Sequence, residues 1–331
     1  MRAFRSSRLA RPLALIVLAI AFIVGMPRIS SVYNIMVMDS AILYFIASLG
    51  ISILLGMGGQ LSFATASLMG FGAFMSALYS KNLGVPSALA IALATLSTAA
   101  LALFLGLALL RLRGAYFTFA TISFAYIATS IYNNYKPFTG GADGVINIPT
   151  LTIGQWSPGD LYGWFYVLMA VAVACFLLVE RIRGSYFGRA LASIRDNEIA
   201  AQTLGINVFA TKVMAFTIAG ALAGLAGALY AHFSTVVSQA QFTFDISVNM
   251  LLMVMIGGVD STFGTFLGAI LITMLPEWLR PLRNYMRLIY GVGIILLMVF
   301  MPYGLTGILR SALGKVRGKA LSRKSDLQGG T

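Results

Sequence analysis

Charge is scarce in this chain, and acid scarcer still: of 331 residues only 10% are charged, and Asp and Glu together number 10. A soluble domain carries about 25% charged residues. With 59% hydrophobic residues and a mean hydropathy of +0.88, the chain lacks the polar surface to face water on every side. It reads as an all-α polytopic membrane protein. One cysteine, Cys175, excludes an intrachain disulfide and a cysteine metal site, and one histidine, His232, excludes a histidine cluster. No stretch reads G-x-x-x-x-G-K-[ST], so the chain shows no means of hydrolysing ATP; H-E-x-x-H and G-x-S-x-G are missing as well. Acids paired inside spans would mark a proton or sodium pathway. Asp39 and Asp245 come near the membrane, each close to a span end where it can reach water. That shortage weighs against an ion-coupled secondary transporter of small solutes, the alternative to the reading reached below. A membrane enzyme finds still less support.

What is present is apolar sequence in pieces. Runs near the ~20 residues needed to cross a bilayer lie at 13–30, 35–56, 61–80, 86–110, 115–133, 161–179, 213–233, 246–257, 262–279 and 286–304. The expectation is thus about ten transmembrane helices, with the short eighth and the ninth a candidate broken or re-entrant pair. Arg2, Arg5, Arg8 and Arg11 before the first run resemble a signal peptide, but Pro27–Arg28 follows with no small-x-small cleavage site; a first transmembrane helix fits better. The net charge of +13 sits mostly between the runs. Ten spans with both termini cytosolic put seventeen of the 23 lysines and arginines inside, leaving Arg28, Lys81, Lys136, Arg280, Arg283 and Arg287 outside, as the positive-inside rule requires. The chain divides into a basic cytosolic N-terminus (1–12), a transmembrane domain (13–309) and a basic cytosolic tail (310–331).

The longest polar interruption is Glu180 to Lys212, between spans six and seven. It carries Arg181, Arg183, Arg189, Arg195 and Lys212 against Glu180, Asp196 and Glu198. Phe187, Leu191, Ile194, Ala201 and Leu204 recur three, four or seven residues apart, which predicts an amphipathic helix closed by Gly205. A half-apolar helix on the positive side of a membrane is built to be held by something.

Small residues crowd Gly56–Phe63, on to Gly70 and Gly72, and again Gly257–Gly264, on to Gly268. Close helix packing explains them; an internal repeat is the other reading. Thr139–Gly144 predicts a tight turn in the longest outside loop. Hydroxyls gather in the fifth span at Thr118, Thr121, Ser123, Thr129 and Ser130, beside Tyr116, Tyr126 and Tyr132. They can line an aqueous path, or bond across helices and to their own backbone.

Taken together, Phe187–Gly188–Arg189–Ala190, Ile194–Arg195–Asp196–Asn197–Glu198–Ile199–Ala200–Ala201 and Leu204–Gly205–Ile206–Asn207 resemble the coupling loop of bacterial ABC importer permeases. With Gly58–Gly59–Gln60–Leu61–Ser62, Arg111–Leu112–Arg113–Gly114, Thr139–Gly140–Gly141 and Gly257–Gly258 in the same order, residues 35–305 resemble the LivM-type permease of branched-chain amino acid importers. The resemblance implies a subunit without its own ATPase site or cofactor, in the bacterial inner membrane. Its implied partners are a second homologous permease, two cytosolic ATPases and a periplasmic solute-binding protein. Arg189, Leu191, Ile194, Arg195, Glu198, Ala201 and Gly205 would form the ATPase-coupling helix. Leu191 and Ile194 would be its apolar anchors, and Glu198 would face a partner arginine. Candidate pore-lining residues are Asp39, Gln60, Ser62, Thr65, Thr118, Thr121 and Tyr126. Two positions depart from the family pattern: Thr65 stands where histidine is common, and Tyr126 where glutamate is common. Losing a carboxylate removes one means of handling an ammonium group, which points to related amino acids or small organic solutes beside leucine-like ones.

Overall fold

The computed structural model describes residues 32–278, apart from 113, 153–156 and 160, together with 285 and 291. The expected first span, the tenth apart from residue 291, and the terminal segments 1–12 and 310–331 lie outside the described residues. Among those described, regular structure is helical throughout, with one isolated bridge between Val145 and Val237. Among the described residues five stretches are long and apolar enough to cross a membrane: Tyr33–Met57, Ser87–Leu109, Leu161–Gly184, Val208–Ser234 and Gln239–Gly257.

The longer helices run α1 (Val32–Ile51), α2 (Thr65–Ala77), α3 (Ser87–Leu109), α4 (Ala115–Asn134), α5 (Leu161–Gly184), α6 (Tyr186–Asp196), α7 (Glu198–Thr203), α8 (Val208–Ser234), α9 (Phe244–Gly257) and α10 (Thr262–Trp278). α1 is the centre of the bundle. Ile42, Leu43, Ile46 and Leu49 have essentially no exposure, since helices pack against it on all sides. α3 is peripheral: Leu89, Leu93, Leu96, Leu103, Phe104 and Leu107 face outward, an all-apolar surface suited to lipid.

Small residues set the tightest crossing. A side chain at Gly72 of α2 would run into the backbone of Gly224 on α8, and one at Gly224 would meet Thr98 of α3 at 2.5–2.8 Å. Three helices therefore meet with almost nothing between them, as membrane helices do where dispersion and not solvent drives packing.

The expected third span, 61–80, is helical only from Thr65. α1 ends in a wider π turn, Ser52–Met57, and Gly59 (φ +64°) turns the chain so that Gln60–Ala64 runs without helix. Non-helical backbone at membrane depth must find partners within the protein. Here they come from α4: Thr118 Oγ1 donates to Leu61 O (3.1 Å), and Phe63 N donates to Thr121 Oγ1 (3.2 Å). From α9, Ser247 Oγ accepts from Ala66 N at 3.0 Å.

At the end of the bundle opposite the Glu180–Lys212 loop, the segment after α4 folds back over α8. A helical turn, Lys136–Thr139, leads into Gly140 and Gly141, both left-handed (φ +74° and +70°), in keeping with the expected turn. Val145 pairs with Val237, and Lys81 Nζ donates to Ile146 O at 2.8 Å. Both ring nitrogens of His232 are engaged, by Ser76 Oγ (2.9 Å) and Pro149 O (2.6 Å). This histidine fastens the loop.

Candidate functional site

The Glu180–Lys212 segment forms two helices where one was expected. Ser185 caps α6 by accepting from Gly188 N. Asn197, in extended conformation, ends α6 and begins α7, its Oδ1 accepting from Ile199 N and Ala200 N at 3.0 Å each. An asparagine at that position offers the backbone an alternative to continuing the helix, so the apolar periodicity spans a break. Gly205 (φ +80°) closes α7 as expected, and Asn207 caps α8.

The break redirects the apolar side chains. Leu191 (0% exposed), Ile194 and Ala201 are buried against this chain's own helices, so they anchor the segment to the body of the protein and are not free to enter a partner. Leu204, expected on that same face, points away. Ile199 and Leu204 are 75% and 77% exposed, with Tyr186 and Arg189 also outward. Glu198, expected opposite a partner arginine, pairs with Lys212 at 2.8 Å within the chain.

Arg195 reaches inward to the two glycine stretches. Its Nη1 donates to Asp260 Oδ1 at 2.7 Å and to the carbonyl of Gly56, while its aliphatic stem lies on Gly59. The hydrogen bond to Asp260 raises the Arg195 pKa above its ordinary value, against the opposing cost of partial burial, so the guanidinium keeps its charge. Arg183 donates to the carbonyl of Asp260 and to Ser52 Oγ, and Glu180 accepts from Thr262 Oγ1. Gly56 itself packs on the carbonyl of Val259, with no room for a Cβ. Thus the end of α1, the α9–α10 turn and the central loop form one knot. Beside it opens a cleft of about 410 Å³ lined by Gln60, Leu61, Phe117, Arg195, Glu198 and Lys212 among others.

The candidate pore residues divide. Thr121 is fully buried, and Thr118 half-buried with its hydroxyl committed to Leu61 O; both hold the Gln60–Ala64 backbone. Ser62 is buried beside them, its Oγ accepting from Ala64 N at 3.3 Å, and Thr65 opens α2. Gln60 is nine-tenths buried, and its Oε1 has no hydrogen-bond partner among the described residues. Tyr126 alone is open, at 59% exposure, stacked on Phe244 (5.4 Å, 24°), which also meets Phe63 at 5.4 Å. Asp39, expected within reach of water, is fully buried in α1 away from this group, and neither carboxylate oxygen has a hydrogen bond among the described residues. Five residues of α4 at alternating spacings of three and four, Tyr116, Phe119, Ser123, Tyr126 and Ser130, make one outward stripe of aromatics and hydroxyls.

The family model of branched-chain amino acid transport system permease components matches residues 33–301. The chain belongs to this family. It is a permease subunit of an ABC import system, which decides against the ion-coupled alternative. Among its relatives, the high-affinity branched-chain amino acid transport permease LivM of Escherichia coli K12 is 31% identical over 330 residues, covering 93% of this chain and 77% of the relative. LivM of Salmonella typhimurium is 30% identical over 331 residues with the same coverage. The LivH permease of Escherichia coli K12 is more distant, 28% identical over 193 residues, or 55% of this chain and 62% of LivH. No solved structure matches the chain. The relatives thus include two permease proteins, LivM and LivH, of high-affinity branched-chain amino acid transport in one organism.

Proposed function

We propose that this permease pairs with a second, homologous permease and carries branched-chain or related amino acids and small organic solutes across the bacterial inner membrane. Two cytosolic ATPases supply the energy and a periplasmic binding protein delivers the solute. The reading places ten spans across the membrane with both termini and the Glu180–Lys212 segment in the cytosol. Two features support it: the length of the family match and the outward surface of α6 and α7. Ile199 and Leu204 are large apolar side chains held about three-quarters exposed among the described residues; on the cytosolic side such residues are anchors for a groove on another protein. Arg189 and Gly205 frame that surface.

Co-purification of the tagged chain from its native membrane tests the assembly. Two P-loop ATPases and a second permease are expected; a lone chain that takes up solute without ATP would overturn it. Uptake competition tests the solute class. Because Tyr126 and Thr65 bring no charge to the path, solutes beyond leucine-like amino acids are expected to compete, and strict leucine preference would remove that part of the reading.

The path itself runs along the outward stripe of α4. Hydroxyls facing hydrocarbon without partners are costly, whereas α3 shows lipid a surface of leucine and phenylalanine. Ser123→Cys is therefore expected to react with a membrane-impermeant thiol reagent in the assembled importer, and Leu96→Cys is not. The one native thiol, Cys175, is buried, so the background is low. Equal labelling of the two positions would move the path elsewhere.

A further inference from the structure

Arg195 joins elements that no sequence neighbourhood connects, and the join has an obvious mechanical use. On one side is α6, held rigidly to α7 by the Asn197 cap and carrying the outward surface. On the other is the Gly258–Ser261 turn between α9 and α10, where Asp260 receives the Arg195 guanidinium at 2.7 Å. From that turn α9 runs back for 14 residues, about 20 Å at 1.5 Å per residue. It packs along α10 closely enough that Gly268 admits no side chain beside the carbonyl of Met253. Its far end carries Phe244, stacked on Tyr126 and against Phe63, and Ser247, bonded to Ala66 N. A displacement at Asp260 therefore reaches the aromatic group at the candidate path through a single packed helix.

We propose that the Arg195–Asp260 pair is a transmission link: it carries movement of the ATPase-facing helices into α9, and through α9 into the Phe63–Tyr126–Phe244 group. Arg195 and Asp260 are positioning residues in this scheme and touch no solute. The inference rests on the importer reading, since only there does the central loop move with ATPase closure. Stability does not explain the pair. Its members are 36% and 73% exposed, and ion pairs so open to solvent add little to stability. The turn is held independently of the Asp260 charge, because Arg183 grips the Asp260 carbonyl and Glu180 grips Thr262.

That separation makes Asp260→Asn informative. It keeps size and the Arg183 contact while removing the carboxylate charge that Arg195 Nη1 meets at 2.7 Å; Asp196, 3.6 Å from Arg195 Nε, lies on α6 itself and ties Arg195 to nothing beyond that helix. The test uses the complete importer reconstituted in liposomes with its binding protein, reading ATP hydrolysed per labelled L-leucine taken up. The wild-type assembly, with uptake dependent on ATP, carries the importer reading by itself. Against it, D260N should raise the ATP-to-leucine ratio at least fivefold at unchanged assembly yield, and D260E, which restores the carboxylate, should fall within twofold of wild type. An unchanged ratio in D260N, even with both rates reduced, overturns the link, and so does a D260N chain that no longer assembles.

Discussion

Replacing Ile199 and Leu204 together by aspartate is expected to strip the ATPases from the importer and abolish uptake while leaving the permease in the membrane. Both side chains are about three-quarters exposed, so the substitutions remove nothing from the fold of this chain. In the assembly the same two side chains are the large aliphatic groups of the outward surface, beside Tyr186. Covering an Ile or Leu fully is worth about 1.5–3 kcal/mol, and a carboxylate buried without a partner adds a further penalty. The two changes should therefore weaken ATPase binding more than 100-fold, the loss reading out as absence of ATPase from the purified permease. The matched control is Leu191→Asp, which sits at zero exposure and should lower the amount of folded permease instead. If I199D/L204D retained the ATPases, the docking surface would lie elsewhere on the chain.

The contrast between Leu191 and Leu204 also marks where sequence reading stopped. Both fit one helical stripe, and periodicity places them on the same face. The deciding residue is Asn197, whose side chain takes two backbone N–H groups and restarts the helix at a new angle, so that the stripe divides into a buried half and an exposed half. Five of the expected spans, the Gly205 stop and the Thr139–Gly144 turn were legible because each follows from local chemistry: apolar length, a left-handed glycine, paired small residues. The Gln60–Ala64 irregularity was not. Its cause is Gly59 together with two threonines more than fifty residues away, and hydroxyls that look like pore lining in a list of residues turn out to be the partners of unpaired backbone. Asp260 was visible only as a member of a glycine-rich stretch. Its arginine partner lies 65 residues earlier, a pairing no spacing announces. Asp39 ran the other way: a carboxylate near a span end suggests water, yet packing around α1 closes over it.

Glycine packing at the α2–α3–α8 crossing carries the other large effect. Gly224→Leu should all but abolish folded permease, to less than a tenth of wild type by size-exclusion chromatography of a fluorescent fusion. Thr98 stands where its Cβ would go, with the Thr98 β-carbon and hydroxyl at 2.5 and 2.6 Å. Thr98 cannot step aside cheaply, since its hydroxyl is held by Ala94 O at 2.7 Å and the residue is fully buried. On its other side Gly224 lies backbone-to-backbone against Gly72. Ordinary overpacking costs about 1–3 kcal/mol because neighbouring side chains give way; here the obstacles are backbone and a pinned threonine, and α3 must separate from α8 as a unit. Gly84→Ala supplies the comparison. Gly84 has a positive φ (+63°) but open space around it, so it incurs only the local backbone strain, about 1–2 kcal/mol, and should still accumulate. A Gly224→Leu permease recovered at wild-type level would mean that α3 can separate from α8 without loss of the fold, and that the small residues at this crossing are not what holds the bundle together.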